Sequence, residues 1–130
     1  MAATYLDSSA IIKLAVREAE SLELRRYLRR RSPLVSSSLA RTEVLRALLS
    51  AGADAVAVGR KVLTRLDLVR ISNAVLDEAA VLLPASVRSL DAIHLATAGM
   101  LGQDLGMIVT YDDRMAEAAR QFGHRVTAPR

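Results

Sequence analysis

Cysteine is absent from this chain of 130 residues. That omission removes disulfides, thiolate metal sites and thiol nucleophiles together. It also suits the cytoplasm, a reducing compartment, better than an oxidising one. Tryptophan is missing too, phenylalanine occurs once, and aromatic residues make up 3%. A surface that stacks single-stranded bases on aromatic platforms is therefore not to be expected. No apolar run approaches the roughly 20 residues that a membrane-spanning helix needs. Residues 1–16 have no basic opening, and Asp7 and Lys13 interrupt their apolar character, so a secretory leader is not expected there. Repeats, low-complexity stretches and long linkers are likewise lacking.

What remains is the composition of a folded domain. Hydrophobic residues reach 52% and charged ones 25%, enough to build a core, and the length suits one domain over residues 1–130. The formal net charge is +4, with arginine dominating the basic side. Such a balance is compatible with an anionic partner, nucleic acid above all, bound through phosphates and shape.

Apolar runs and capping residues alternate along the chain. Residues 3–6 form a short apolar strand that stops at Asp7, and Ser8 or Ser9 is placed to cap a helix reaching Val16. A helix over residues 19–30 is broken by Pro33, and residues 33–36 read as the next strand. Ser37 or Ser38 caps a third helix that ends at Gly52. Residues 53–66 read as a helix, 68–71 as a strand, and a helix capped by Ser72 or Asn73 runs to Leu83 before Pro84. A helix over residues 90–101 precedes a strand at 107–110, a turn, a helix to Phe122 and an edge strand at 125–127. Strands separated by helices imply parallel pairing, so the expected fold is a three-layer α/β/α sandwich around a parallel sheet of four or five strands.

Four carboxylates stand out against this frame. Asp7 and Asp112 follow strands, where open parallel sheets gather their ligands. Glu43 and Asp91 interrupt apolar helical segments, which is costly unless the charge is paired or bound to metal. Converging acids repel one another until a divalent cation neutralises them, and an oxygen-only set suits Mg²⁺ or Mn²⁺. Each acid also has a plainer reading: Asp7, Asp112 and Asp113 as helix caps, Glu43 paired with Arg41 or Arg46, and Asp91 favoured by a helix dipole.

The joint pattern resembles a known family. Tyr5-Leu6-Asp7-Ser8-Ser9 is similar to the opening of PIN domains, and the segments around Glu43 and Asp91 resemble the family's two acid-bearing helices. Thr110-Tyr111-Asp112-Asp113 is similar to its closing Thr-x-Asp pattern, and the four motifs span essentially the whole chain in order. The short length resembles VapC-type toxins. The resemblance implies hydrolysis of RNA phosphodiesters at one or two Mg²⁺ or Mn²⁺ ions held by Asp7, Glu43, Asp91 and Asp112, leaving 5′-phosphate and 3′-hydroxyl ends. A metal-activated water attacks in this scheme, Asp7 and Asp91 are the main ligands, and Ser8 or Thr110 fixes a carboxylate rotamer. It further implies a cognate VapB-type antitoxin and a homodimer.

Other residues keep two readings. His94, on the face of Asp91, either touches metal or proton or is a buried packing residue; Asp113 either shares the metal site or caps a helix. His124 is expected at the surface, and the role of Lys13 is open. The cluster Arg25, Arg26, Arg29, Arg30 and Arg31 either guides RNA, contacts an acidic partner or is a solvated helix face. Residues 53–66 are either a partner surface or ordinary core. A haloacid-dehalogenase-like phosphatase needs a second Asp two residues after the first, where Ser9 stands. The alternative within the fold is a non-catalytic PIN-like module that binds RNA or a partner, which loss of the acids would signal; all four are present.

Overall fold

The computed structural model describes residues 2–130. In chain order the elements are β1 (Ala3–Leu6), α1 (Ser8–Ala15), α2 (Ser21–Leu28), β2 (Leu34–Ser37), α3 (Ala40–Leu48) and α4 (Ala53–Thr64). They continue as β3 (Asp67–Val69), α5 (Asn73–Ala80), α6 (Ser89–Gly99), β4 (Leu105–Val109), α7 (Asp113–Gln121) and β5 (Val126–Thr127). The five strands form one sheet in the order β3-β2-β1-β4-β5. Every pairing is parallel, so the three-layer sandwich anticipated from the alternation is the fold that forms.

The helices divide between the two faces as side-chain alternation demands. Leu6 and Val109 point into a core shared with Ala10, Ile11, Leu24, Val44, Val62 and neighbours from α1 to α4. Tyr5, Val35 and Ile108 point the other way, against Leu95, Ala98, Met115 and Ala119 from α6 and α7. The chain therefore winds one way from β1 to β3, returns across the sheet, and continues from β4 to β5. The reversal falls between β1 and β4, the switch point at which open α/β sheets leave a crevice beyond their strand ends. Asp7 and Asp112 lie there.

Local boundaries differ from the sequence expectation where tertiary contacts take over. Asp7, rather than Ser8 or Ser9, caps α1: its Oδ1 accepts the Ala10 N–H at 3.1 Å. The strand β3 begins at Asp67 and stops at Val69, because its partner β2 ends at Ser37. β4 begins two residues early at Leu105, with Gly106 as the extra residue of a bulge against β1. A side chain there would meet the Ala2 Cβ at 2.7 Å. Residues 53–66 divide between the two readings, with Val62, Leu63 and Leu66 buried, Ala55 and Val56 half-buried and Val58 exposed. Within α4, Gly59 lets the helix approach α3 so closely that an added Cβ would lie 2.5 Å from Leu48 Cδ1. That contact seats α3, which carries Glu43. Among the described residues no helix is long and apolar enough to cross a membrane.

Candidate active site

Asp7 sits at the end of β1, buried at 4% exposure. Its carboxylate is held from three sides. Oδ1 accepts the Ser9 hydroxyl at 2.6 Å besides the Ala10 N–H, and Oδ2 accepts the Thr110 hydroxyl. The same two hydroxyls knit β1 to the end of β4. Ser9 Oγ accepts the Tyr111 N–H at 3.0 Å, and Thr110 Oγ1 accepts the Asp112 N–H at 3.1 Å. Burial pushes the Asp7 carboxyl above its usual range, only partly offset by these donors and by His94.

Glu43, in the first turn of α3, faces the same crevice. Its Oε1 accepts the Ser8 hydroxyl at 2.6 Å and lies 2.7 Å from His94 Nε2. Burial alone would raise this carboxyl, but the hydrogen bonds from His94 and Ser8 outweigh it and hold Glu43 below its usual range. The other imidazole nitrogen, Nδ1, is 2.7 Å from the Tyr5 hydroxyl. Burial drives the Tyr5 phenol far above its ordinary value, with the nearby Ser36 hydroxyl, the charge of Asp7 and the Thr97 hydroxyl acting less strongly. The phenol therefore keeps its proton and donates it to Nδ1. With Nδ1 accepting from Tyr5, the ring proton lies on Nε2, directed at Glu43.

Asp91 lies in the first turn of α6, a helix whose Ala92, His94, Leu95, Ala96, Thr97 and Ala98 are buried. Its carboxyl is raised by burial first, then by Asp112, with Asp7 and Glu43 adding further and His94 opposing. Asp112 caps α7, its Oδ1 accepting the Arg114 N–H at 2.9 Å and the Met115 N–H at 3.3 Å. The four acids from β1, α3, α6 and α7 thus share one electrostatic environment. Asp113 is exposed and lines a cleft of about 580 Å³ with Asp91, Arg88, Arg114 and Glu117.

The donor set fits a hard divalent cation. It consists of carboxylate oxygens, supported by the hydroxyls of Ser8, Ser9 and Thr110, with no sulfur. Among the described residues, no three His, Asp or Glu side chains close around a point tightly enough to enclose an ion. Mg²⁺ does not require that, since it keeps several waters and takes one or two carboxylates. An uncompensated repulsion felt most by Asp91 is what such a charge would relieve.

The remaining sequence candidates fall away from the crevice. His124 is half-buried rather than at the surface, tilted against Phe122 with centroids 6.4 Å apart, and burial lowers its pKa. Lys13 bonds Glu20 at 2.6 Å and sits 4.8 Å over the Tyr111 ring, bracing the outside of the β4 turn. On α2, Arg26 pairs with Glu23, Arg25 caps the Leu14 carbonyl, and Arg31 stacks on Tyr27. Arg29, Arg30 and Arg31 precede the start of β2, on the sheet edge opposite the acids. Two positioning residues escaped the sequence reading. Tyr5 is 89 residues from His94, and Ser9 was visible only as a possible cap, although its place two residues after Asp7 is where a hydroxyl can turn back onto a carboxylate.

Comparison with known proteins agrees with the fold. The PIN domain family model matches residues 4–121. Ribonuclease VapC46 of Mycobacterium tuberculosis (strain ATCC 25618 / H37Rv) is 63% identical over 129 residues, 99% of each chain. Ribonuclease VapC47 of Mycobacterium tuberculosis (strain CDC 1551 / Oshkosh) is 35% identical over 130 residues, 96% of each chain. The crystal structure of Mycobacterium tuberculosis VapC20, a sarcin-ricin loop cleaving toxin, superposes with a TM-score of 0.76 at 16% identity. That match covers 88% of this chain and 94% of the other, and speaks to the fold.

Proposed function

The chain belongs to the PIN-domain family and is a ribonuclease of the VapC toxin type, and from that premise we propose that it cuts RNA endonucleolytically at Asp7, Glu43, Asp91 and Asp112 with Mg²⁺ or Mn²⁺. One observation carries the reading. The Asp91 carboxyl is raised by burial and then by the charges of the three other acids, a standing repulsion that only a cation or the loss of charge relieves. When bound, the ion supplies Lewis-acid stabilisation of the phosphodiester and a more acidic water.

The chain's own groups do the rest. Asp7 and Asp91 are the principal holders of the ion. Ser9 and Thr110 fix the Asp7 rotamer, and Thr110 ties it to the turn bearing Asp112. Glu43, pinned by Ser8 and His94, stays ionised at neutral pH and is the group that orients water and accepts its proton. Asp112 contributes charge from the start of α7, and Asp113 stands at the rim.

Partners follow the same reading. RNA is the substrate and a VapB-type antitoxin the inhibitor, with the cytoplasm as the place of action. A groove between α2 and α4 suits an acidic amphipathic segment of such an inhibitor. Leu28, Val58 and Leu66 line it, with Arg25, Arg29 and Arg65 beside them. A homodimer is supported by apolar side chains left exposed on and beside α5 and α6, including Leu76, Val81, Leu83 and Met100.

Purified antitoxin-free chain is to be incubated with total cellular RNA plus Mg²⁺ or Mn²⁺, and with chelator, beside Asp7→Asn and Asp91→Asn. Cation-dependent cutting, lost in both folded variants, is the expected result. Equal degradation by all three proteins, or none by the metal-loaded wild type, would overturn the assignment.

A further inference from the structure

A second cleft, of about 820 Å³, opens on the β3 side of the molecule between α3, α4 and the end of β3. Three arginines line it: Arg41 from the first turn of α3, Arg60 from α4, and Arg70 immediately after β3. The hydroxyls of Ser38, Thr42 and Thr64 lie among them, over a floor that includes Leu45 and Leu63. Among the described residues none of the three guanidinium groups pairs with a carboxylate. Arg26, Arg25 and Arg31, by contrast, are engaged by Glu23, the Leu14 carbonyl and the Tyr27 ring. Three exposed guanidinium groups without carboxylate partners, with hydroxyls beside them in one concavity, suit an anion.

The topology says where that anion comes from. All strands run parallel, so residues following them share one edge of the sheet. Arg70 follows β3, Ser38 follows β2, Asp7 follows β1, and Asp112 stands three residues past β4. The arginine cleft and the carboxylates therefore occupy the same edge, about 10 Å apart at the usual spacing of neighbouring strands. Arg41 and Thr42 directly precede Glu43 on α3, so one helical turn borders both. The opposite flank of the acids carries Asp113 and Glu117 beside Arg88 and Arg114, a mixed field without excess positive charge.

We infer that the cleft formed by Arg41, Arg60 and Arg70 is a phosphate-binding subsite, which grips the RNA backbone one or two nucleotides from the bond being cut and feeds the strand along the sheet edge from the β3 side. This rests on the nuclease reading above and adds a location and polarity to substrate binding. Lacking aromatic platforms, the chain holds its strand through the backbone, and Arg41, Arg60 and Arg70 gather three guanidinium groups in one cleft on the sheet edge that carries the acids.

Binding and cutting are measured separately. In an Asp91→Asn background, fluorescence anisotropy follows a 5′-fluorescein 12-nucleotide single-stranded RNA of random sequence across a salt series. Arg41→Ala, Arg60→Ala and Arg70→Ala are each expected to weaken binding roughly tenfold. Each should also lower the slope of log K against log salt by about 0.7. Lysine at the same positions should keep the slope while recovering only part of the affinity. With the acids intact, the same changes should raise KM and leave kcat within about twofold. A control of equal charge loss just after α2, Arg29→Ala or Arg30→Ala, should have a smaller effect. Unchanged slope and affinity, a control as damaging as the cleft variants, or normal RNA binding with loss of antitoxin binding would each overturn the inference. Arginine-dependent RNA binding by a wild type that cuts nothing would instead sink the nuclease reading and leave the subsite standing.

Discussion

Tyr5→Phe is a small change with a calculable reach. The phenol and the His94 ring are both buried, at 1% and 2% exposure, and meet edge to face with centroids 5.9 Å apart. Phenylalanine preserves that packing and removes only the hydroxyl 2.7 Å from Nδ1. An imidazole nitrogen left without a partner in a dry site costs about 1–3 kcal/mol. A domain of this length loses roughly 4 °C of Tm per kcal/mol, so a fall of about 4–12 °C is expected by scanning calorimetry. The second consequence is chemical. Without the phenol, the proton on Nε2 is held by Glu43 Oε1 alone, 2.7 Å away, and the ring is no longer anchored at Nδ1. Glu43 then keeps its donor on a less firmly held ring, and a loss of about 10-fold in Mn²⁺ affinity is expected, the low end of the range for removing the support of a metal ligand. Nitrogen-15 chemical shifts of His94 read the tautomer directly: wild type should show a protonated Nε2 and a bare Nδ1. A variant with wild-type Tm, unchanged Mn²⁺ binding and the same imidazole shifts would refute the chain of reasoning from Tyr5 through His94 to Glu43.

Three further changes probe the crevice and its support. Thr110→Val removes the donor to Asp7 and the acceptor of the Asp112 N–H at once. A stability loss of about 1–3 kcal/mol by urea unfolding, with weaker Mn²⁺ binding by calorimetry, is expected, and neither should occur if Thr110 is a spectator. For Asp7, burial raises the folded-state pKa, so its contribution to stability is full below the unfolded value and is lost as pH rises through the folded one. In chelator, the wild-type Tm should therefore fall across that window relative to Asp7→Asn, while added Mn²⁺ should raise the Tm of wild type alone; parallel pH profiles would contradict this. Gly59→Ala places a Cβ against Leu48, which is 1% exposed and has little room to yield, and should cost about 1–3 kcal/mol less the roughly 1 kcal/mol of helix propensity gained. An unchanged or higher Tm would mean that Leu48 gives way.

The order of strands and helices was legible because parallel strands buried on both faces must be short apolar runs, as in residues 3–6 and 107–110, and helices between them must be amphipathic. Asp7 and Asp112 were legible for the same reason: each acid follows an apolar run. Boundaries set by pairing were not legible. Nothing local to residues 105–106 announces that β4 continues through Gly106, since the bulge exists only against β1. Nor does Asp-Ser-Ser reveal which residue caps α1; the fold gives that place to Asp7 and turns Ser9 into its donor and the acceptor of the Tyr111 N–H. In the densest arginine cluster, Arg25, Arg26 and Arg31 find local partners, whereas Arg41, Arg60 and Arg70, scattered in the chain, are gathered only by the crossover from β2 to β3.

The site embodies a conflict that its surroundings contain rather than remove. Two of the four acids, Asp7 and Asp91, are held above their ordinary pKa by burial, and Asp91 by its acidic neighbours as well. A fold selected for stability alone would place amides or hydroxyls there. Instead three of the four carboxylates are immobilised by donors: Ser9 and Thr110 for Asp7, Ser8 and His94 for Glu43, backbone N–H groups for Asp112. Orientation by neutral donors costs little of the negative potential, so the pocket stays poised for a cation while its geometry is already set. Replacing a neutral donor with a cationic one separates the two effects. Both Ser9→Lys and Ser9→Ala lose the acceptor of the Tyr111 N–H and should lower Tm, but Ser9→Lys, which would compensate Asp7, should also abolish Mn²⁺ binding, whereas Ser9→Ala should only weaken it. If Ser9→Lys retained Mn²⁺ affinity, the negative potential of the pocket would not be what attracts the ion.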